Sequence, residues 1–145
     1  MRLAHAESLA DATLKHAREI GAAPLAVVVL DAGGHPVVVK REDGAGILRV
    51  EIATAKAYGA LGMGMSSREI ATRAERQPVF FGTLAAVTGG RLAPAPGGVL
   101  LRDAAGTVVG AIGVSGDVSD VDERCILEGT RGAEPDGPVT DRAGD

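Results

Sequence analysis

The sequence predicts an α/β domain of the α+β kind, with helices packed on an antiparallel sheet of about five strands. Three observations carry that prediction. Two apolar runs, Pro96–Leu100 and Val109–Gly116, are joined by a reversal at Arg102–Gly106 and read as a hairpin. A second pair, Pro24–Leu30 and Val37–Val39, brackets the turn Asp31–Pro36. Helical patterns stand before, between and after these pairs. Hairpins alternating with helices imply antiparallel pairing rather than a parallel crossover sheet.

Taken in order, Arg2 to Ile20 is a helix, with Leu3, Ala6, Ala10, Leu14 and Ala17 on one stripe and Asp11, Lys15 and Glu19 opposite. Gly21 closes it. After the first hairpin, Ile47 to Met63 is helical but apolar on nearly every side. Such a helix is buried on more than one face. Ser66-Ser67-Arg68-Glu69 forms a capping box that starts a third helix toward Gln77, with Pro78 as its stop. Phe80 to Val87 fits either regular structure, and Thr88 to Pro96 reads as a Gly/Pro loop or an irregular edge strand. A second capping box at Ser119–Asp122 opens a last helix to about Thr130. The expected order is α-β-β-α-α-β-β-β-α, one domain over residues 1–131, with a disordered tail at 132–145.

Composition narrows the function. The chain has 145 residues, a net charge of −4 and 2% aromatics. Nucleic-acid binding needs a basic stripe or stacking aromatics, and neither is present. No run has the length of a membrane helix. The single Cys125 allows no internal disulfide, so a reducing, cytoplasmic location is expected. No paired CxxC or HExxH exists, so no metal site is expected. The Gly110–Gly116 run lacks dinucleotide-fingerprint spacing, and no P-loop lysine follows it. Glycines at 110, 113 and 116 inside a strand instead indicate close approach by a backbone, a partner subunit or a ligand.

Several residues are candidates for chemistry. Lys56 lies on the apolar second helix, where desolvation suits it to base, Schiff-base or anion-binding work unless it snorkels to the helix end or pairs with the Asp31 or Asp43 turn. Arg41 and Asp43 flank the exit of the second strand, a pair able to clamp or orient a carboxylate-bearing ligand. Together Lys56, Arg41 and Asp43 define a cofactor-independent acid–base reading: an isomerase, tautomerase or hydratase on a small carboxylate- or carbonyl-bearing substrate. His16, beside Leu9 and Ile20 on the first helix, is a candidate haem ligand. His5 lies on the same flank, about 16 Å away at 1.5 Å per residue, too far to share one metal with it. Cys125 reads as core, His35 as exposed turn, and Met63 and Met65 as soft pocket lining or gap fillers, with Met63 the pocket candidate.

Five blocks occur in order: Val29–Gly34, Arg41–Gly44, Ala55–Ala57, Pro96–Val99 and Gly110–Gly116. In these the chain resembles the GlcG/HbpS family, whose members are described as haem-degrading or haem-binding, and is similar to the C-terminal domain of PduO-type corrinoid adenosyltransferases. The resemblance spans roughly residues 2–130. It implies a profilin-like domain assembled into tetramers or octamers, with a small pocket near the glycine-rich strands at Gly97, Gly98, Val99, Gly113, Ser115 and Met63. The ligand it implies is haem or a related tetrapyrrole, with a first-helix histidine, His16 here, on the iron. The segment Arg91–Ala95 departs from relatives that carry bulkier and aromatic residues before the equivalent of Pro96. Three readings stand at this point: a haem-type small-ligand binding protein acting as a homo-oligomer, the acid–base enzyme, and an accessory protein that works through its oligomeric surface.

Overall fold

The computed structural model describes residues 1–132 and the backbone of residues 139–140. The chain runs α1 (Leu3–Glu19), β1 (Ala26–Asp31), β2 (Pro36–Arg41), α2 (Arg49–Met63), α3 (Ser67–Arg76), α4 (Pro78–Val87), β3 (Gly98–Arg102), β4 (Val108–Ser115), α5 (Ser119–Gly129) and β5 (Val139–Thr140). The strands form one sheet in the order β2-β1-β4-β3-β5. Every neighbouring pair is antiparallel. The predicted α+β class and antiparallel sheet are therefore present.

Side-chain alternation sorts the sheet into two faces. Val27, Val29, Val99, Leu101, Ile112 and Val114 point toward α1 and α5, where Leu9, Ala10, Cys125 and Ile126 complete a core. Val28, Leu30, Leu100 and Ala111 point the other way, onto Ala53, Ala57 and Ala60 of α2. The alanine row has a consequence. With so little side chain between them, the α2 backbone sits directly on the sheet. A Cβ at Gly113 would collide with the Ala53 carbonyl, and one at Gly98 with the Lys56 carbonyl. Of the three approaches the strand glycines allow, helix backbone occupies both of these positions.

Three details depart from the expected order. The segment containing Phe80–Val87 is helix α4, because Pro78 both ends α3 and occupies the first turn of the next helix. Residues 88–96 form no strand. Gly89 and Gly90 turn the chain in left-handed conformation, and Pro94 and Pro96 keep it irregular. The third strand expected before β4 is therefore absent; four main strands carry the sheet, and the two-residue β5 pairs with the outer edge of β3. Beyond residue 132 the expected tail otherwise lies outside the described residues.

The capping boxes also divide. Ser66 caps α3 as expected, its hydroxyl accepting the Glu69 N–H at 3.2 Å. At α5 the N-cap is Val118, which has no side-chain acceptor, and Ser119 is already helical. Asp122, read as the acid of that box, is turned inward instead.

Candidate functional site

Asp122 turns toward Lys56. The Lys56 amine donates to the Val114 carbonyl at 2.9 Å and to Asp122 Oδ2 at 3.1 Å. The two side chains are 3% and 1% exposed. Asp122 Oδ1 meanwhile accepts the Asp117 N–H at 2.9 Å. One ion pair thus ties α2 to the end of β4 and the first turn of α5. Burial pushes the Lys56 ammonium below its ordinary range, with Asp122 opposing that shift. Burial likewise raises the Asp122 carboxyl, opposed by Lys56. Desolvation leads in both, so each group is driven toward its neutral form while the hydrogen bond holds them together.

Further polar contacts surround this junction. Arg49 donates to the Ser115 hydroxyl at 3.1 Å, and the Gly98 N–H donates to Ser67 Oγ at 2.7 Å. Arg68 reaches from α3 to Glu123 at 2.8 Å and to Asp120 at 2.5 Å. Glu123 is buried, and its Oε2 has no partner among the described residues. Gly97, Gly98, Gly113 and Ser115 lie buried here against α2, whereas Val99 is buried on the other sheet face, toward α1 and α5.

The structure does not bring Arg41 and Asp43 to Lys56. Arg41 pairs across Ala26 with Ser115, so two strand spacings, roughly 10 Å, separate its backbone from β4. Both residues are exposed and line an open crevice of about 440 Å³ with Arg18, Pro24 and Glu42. Neither side chain has a hydrogen bond or ion pair among the described residues. Glu42, between them, is engaged with Arg18 at 2.9 Å and with the Leu25 N–H at 2.9 Å.

Met63 lies elsewhere, in an apolar cavity of about 330 Å³ between α2 and α4, with Tyr58, Leu84, Val87 and Leu92. Arg91 lies over the Tyr58 ring, its guanidinium carbon 3.8 Å from the centroid. This contact adds a cation–π attraction at the cavity edge.

The histidines divide in a way that spacing along α1 did not reveal. His16 is half-buried between α1 and α5, with Nε2 2.9 Å from Glu128 Oε2 and Nδ1 3.6 Å from Glu19. His5 is 4% exposed, and its Nδ1 has no hydrogen-bond partner among the described residues. It lines a cavity of about 290 Å³ with Met1, Arg2, Asp103 and Val109. No local pattern along α1 marks this placement, since it depends on the β3–β4 end of the sheet folding against α1. Cys125 is buried, and burial pushes its thiol up to about 11, which makes it core rather than nucleophile.

An α+β domain with an alanine-faced helix laid on strand glycines is a recognisable class, and the comparisons name it. The family of haem degrading protein HbpS-like matches residues 1–131. The chain belongs to that family. Solved structures agree. HbpS is 29% identical with a TM-score of 0.80, covering 93% of this chain and 91% of that one. Klebsiella pneumoniae protein ORFY is 28% identical with a TM-score of 0.80, covering 92% of each. A PduOC:heme complex has a TM-score of 0.81 at 24% identity over 97% of each chain, a likeness of fold. No curated protein sequence matches the chain. No helix among the described residues is long and apolar enough to cross a membrane.

Proposed function

We propose that this chain is a small-ligand binding protein of the HbpS type, acting as a homo-oligomer, with haem or a related tetrapyrrole as its default ligand. The observation that carries this over the acid–base reading is the state of Lys56. Its amine is enclosed by the Val114 carbonyl and the Asp122 carboxylate, with almost no exposure to a substrate. A general base needs hydrogen-bond reach to the proton it takes, and this one is occupied.

Haem asks for an imidazole with a free nitrogen beside a ligand-sized opening. His5 lines one such cavity, and its buried Nδ1 has no hydrogen-bond partner among the described residues. His16 presents a different arrangement, with its Nε2 2.9 Å from Glu128 and its Nδ1 3.6 Å from Glu19. A carboxylate on one ring nitrogen fixes the tautomer and raises the basicity of the other. Either His5 or His16, at separate places on α1, would hold the group, and haem would supply an iron centre for an imidazole to bind. The family membership supports haem as the default, because the group bears the haem description and one fold neighbour is a heme complex.

The test is a haemin titration followed by absorbance on the wild type, His5→Ala and His16→Ala. A saturable Soret shift that weakens at least about tenfold in one variant identifies the ligating imidazole. Absence of a saturable shift in the wild type overturns the haem reading. The acid–base alternative rests on the Arg41–Asp43 crevice, whose side chains are exposed and unpaired among the described residues. Undiminished turnover of a small carbonyl acid by a folded Lys56→Ala variant would remove Lys56 from that mechanism.

A further inference from the structure

Helix α4 has the sequence PVFFGTLAAV and no charged residue. Its inner face, Phe81 and Leu84, packs with Met65 and Ile70 into a small core of its own. The opposite face carries Val79, Thr83 and Ala86, with Phe80 and Val87 along its flank. Val79 is 83% exposed, Val87 75% and Phe80 52%. A helix that is apolar all round is normally covered all round. Here half of it faces water in the single chain.

We propose that a second copy of this chain docks on this outer face of α4, together with the adjoining 88–96 loop, and closes the cavity between α2 and α4. The inference deepens the self-association in the proposed function and rests on it. Charge is the first reason for choosing a second copy. The whole chain carries 15 basic and 19 acidic residues, yet from Gln77 to Pro96 the only charged residue is Arg91. In a two-fold interface residue i meets j and j meets i, so a surface pairs with itself only where it carries both halves of each contact, and this one has almost no charge that would need its opposite on the same face. A foreign partner would gain no charge complementarity from it.

Size is the second reason. The twenty residues from Gln77 to Pro96, all at least partly exposed except Phe81, match the ~20–30 residues a side of a stable interface. Shape is the third. The patch holds both a projection and a recess. Phe80 stands edge-on against Phe81, with ring centroids 5.3 Å apart and planes at 87°, which fixes its direction. The cavity lined by Tyr58, Met63, Leu84, Val87 and Leu92 opens on the flank of the same helix. Large exposed apolar patches of this kind mark interaction surfaces.

The experiment is light-scattering molar mass against concentration for the wild type and for the Val79→Asp/Phe80→Asp double variant. The wild type is expected at a multiple of the chain mass, with association weakened at least roughly 100-fold in the variant. Carbene footprinting of wild-type residues 77–96 across the same concentrations provides a readout that depends on no substitution. Labelling there is expected to fall as the assembly forms. A wild type that stays monomeric throughout overturns both the proposed assembly and this face. An assembling wild type whose 77–96 segment stays fully labelled, or whose folded double variant assembles equally well, overturns the face alone.

Discussion

Two regions of this molecule invert the usual rule of burial in opposite directions. At the junction of α2, β4 and α5, the charged side chains Lys56 and Asp122 lie buried, 3% and 1% exposed. On α4, a helix without a charged residue leaves Val79 and Val87 largely in water. The first inversion is resolved inside the chain: each buried charge has its partner, plus a backbone group that uses a further hydrogen bond. The second has no resolution among the described residues. A paired buried charge therefore reads as architecture, whereas an unpaired exposed apolar face reads as an instruction for assembly.

The largest expected effect comes from breaking the junction. Lys56→Met leaves the Asp122 carboxylate buried without its cation, and a broken buried pair costs about 3–5 kcal/mol. Urea unfolding checks it. Lys56→Met/Asp122→Leu is expected to recover most of that loss, because a well-packed apolar pair is often as stable as the ionic one. A single variant that lost less than about 1 kcal/mol would mean the pair is not structural. Lys56 would then return as a candidate for chemistry.

Next comes the seat of α2 on the sheet. Gly113→Ala places a Cβ against the Ala53 carbonyl, a backbone atom that cannot swing aside. Overpacking of this kind costs typically about 1–3 kcal/mol, read as a fall in urea midpoint with unchanged slope. Full stability in this variant would show that helix and sheet separate easily there, and would reopen the glycine strands as a ligand wall.

Asp117, beside the junction, gives a smaller effect with a defined pH sign. Its carboxylate accepts the Ala23 N–H at 2.7 Å and the Val118 N–H at 2.7 Å, and these hold its pKa below 3.8. A folded pKa below the unfolded one means the stabilisation is complete above pH 3.8 and is lost as pH falls through the folded value. Asp122 works in the opposite sense. Its folded pKa is raised, so the folded state takes up that proton first and acidification through that window favours folding. Asp117→Ala is expected to lower stability at neutral pH by about 1 kcal/mol, with the deficit shrinking below pH 3.8 in a pH series of urea melts.

Much of the scaffold was legible because its signals are local. The two hairpins, the stripe on α1 and the Ser66 cap each depend on neighbours within a few residues. Helix α4 was not legible as a helix, because a segment without charges shows no polar face to set a period, and Pro78 looked like an end. The role of Asp122 was hidden for a different reason. Its partner Lys56 lies 66 positions away in the chain, so a local capping pattern was the nearest explanation. Lys56 itself stood out in the middle of an apolar helix, and the open question was what it faced. His5 is the clearest omission, since an unpartnered ring nitrogen is a property of what fails to pack around it.

The smallest effect addresses α4 directly. Gly82 lies in the middle of this helix, and a Cβ built there meets nothing within 4 Å. In a chain kept monomeric by Phe80→Asp, Gly82→Ala is expected to raise stability by roughly 0.5–1 kcal/mol, because glycine inside a helix loses more backbone freedom on folding. In the assembling wild type the same methyl would stand on the edge of the surface that a second copy covers. The gain should then shrink as protein concentration rises in parallel melts of the two backgrounds. Equal gains at every concentration would place Gly82 outside the contact and narrow the docking surface to the Val79–Phe80 side of the helix.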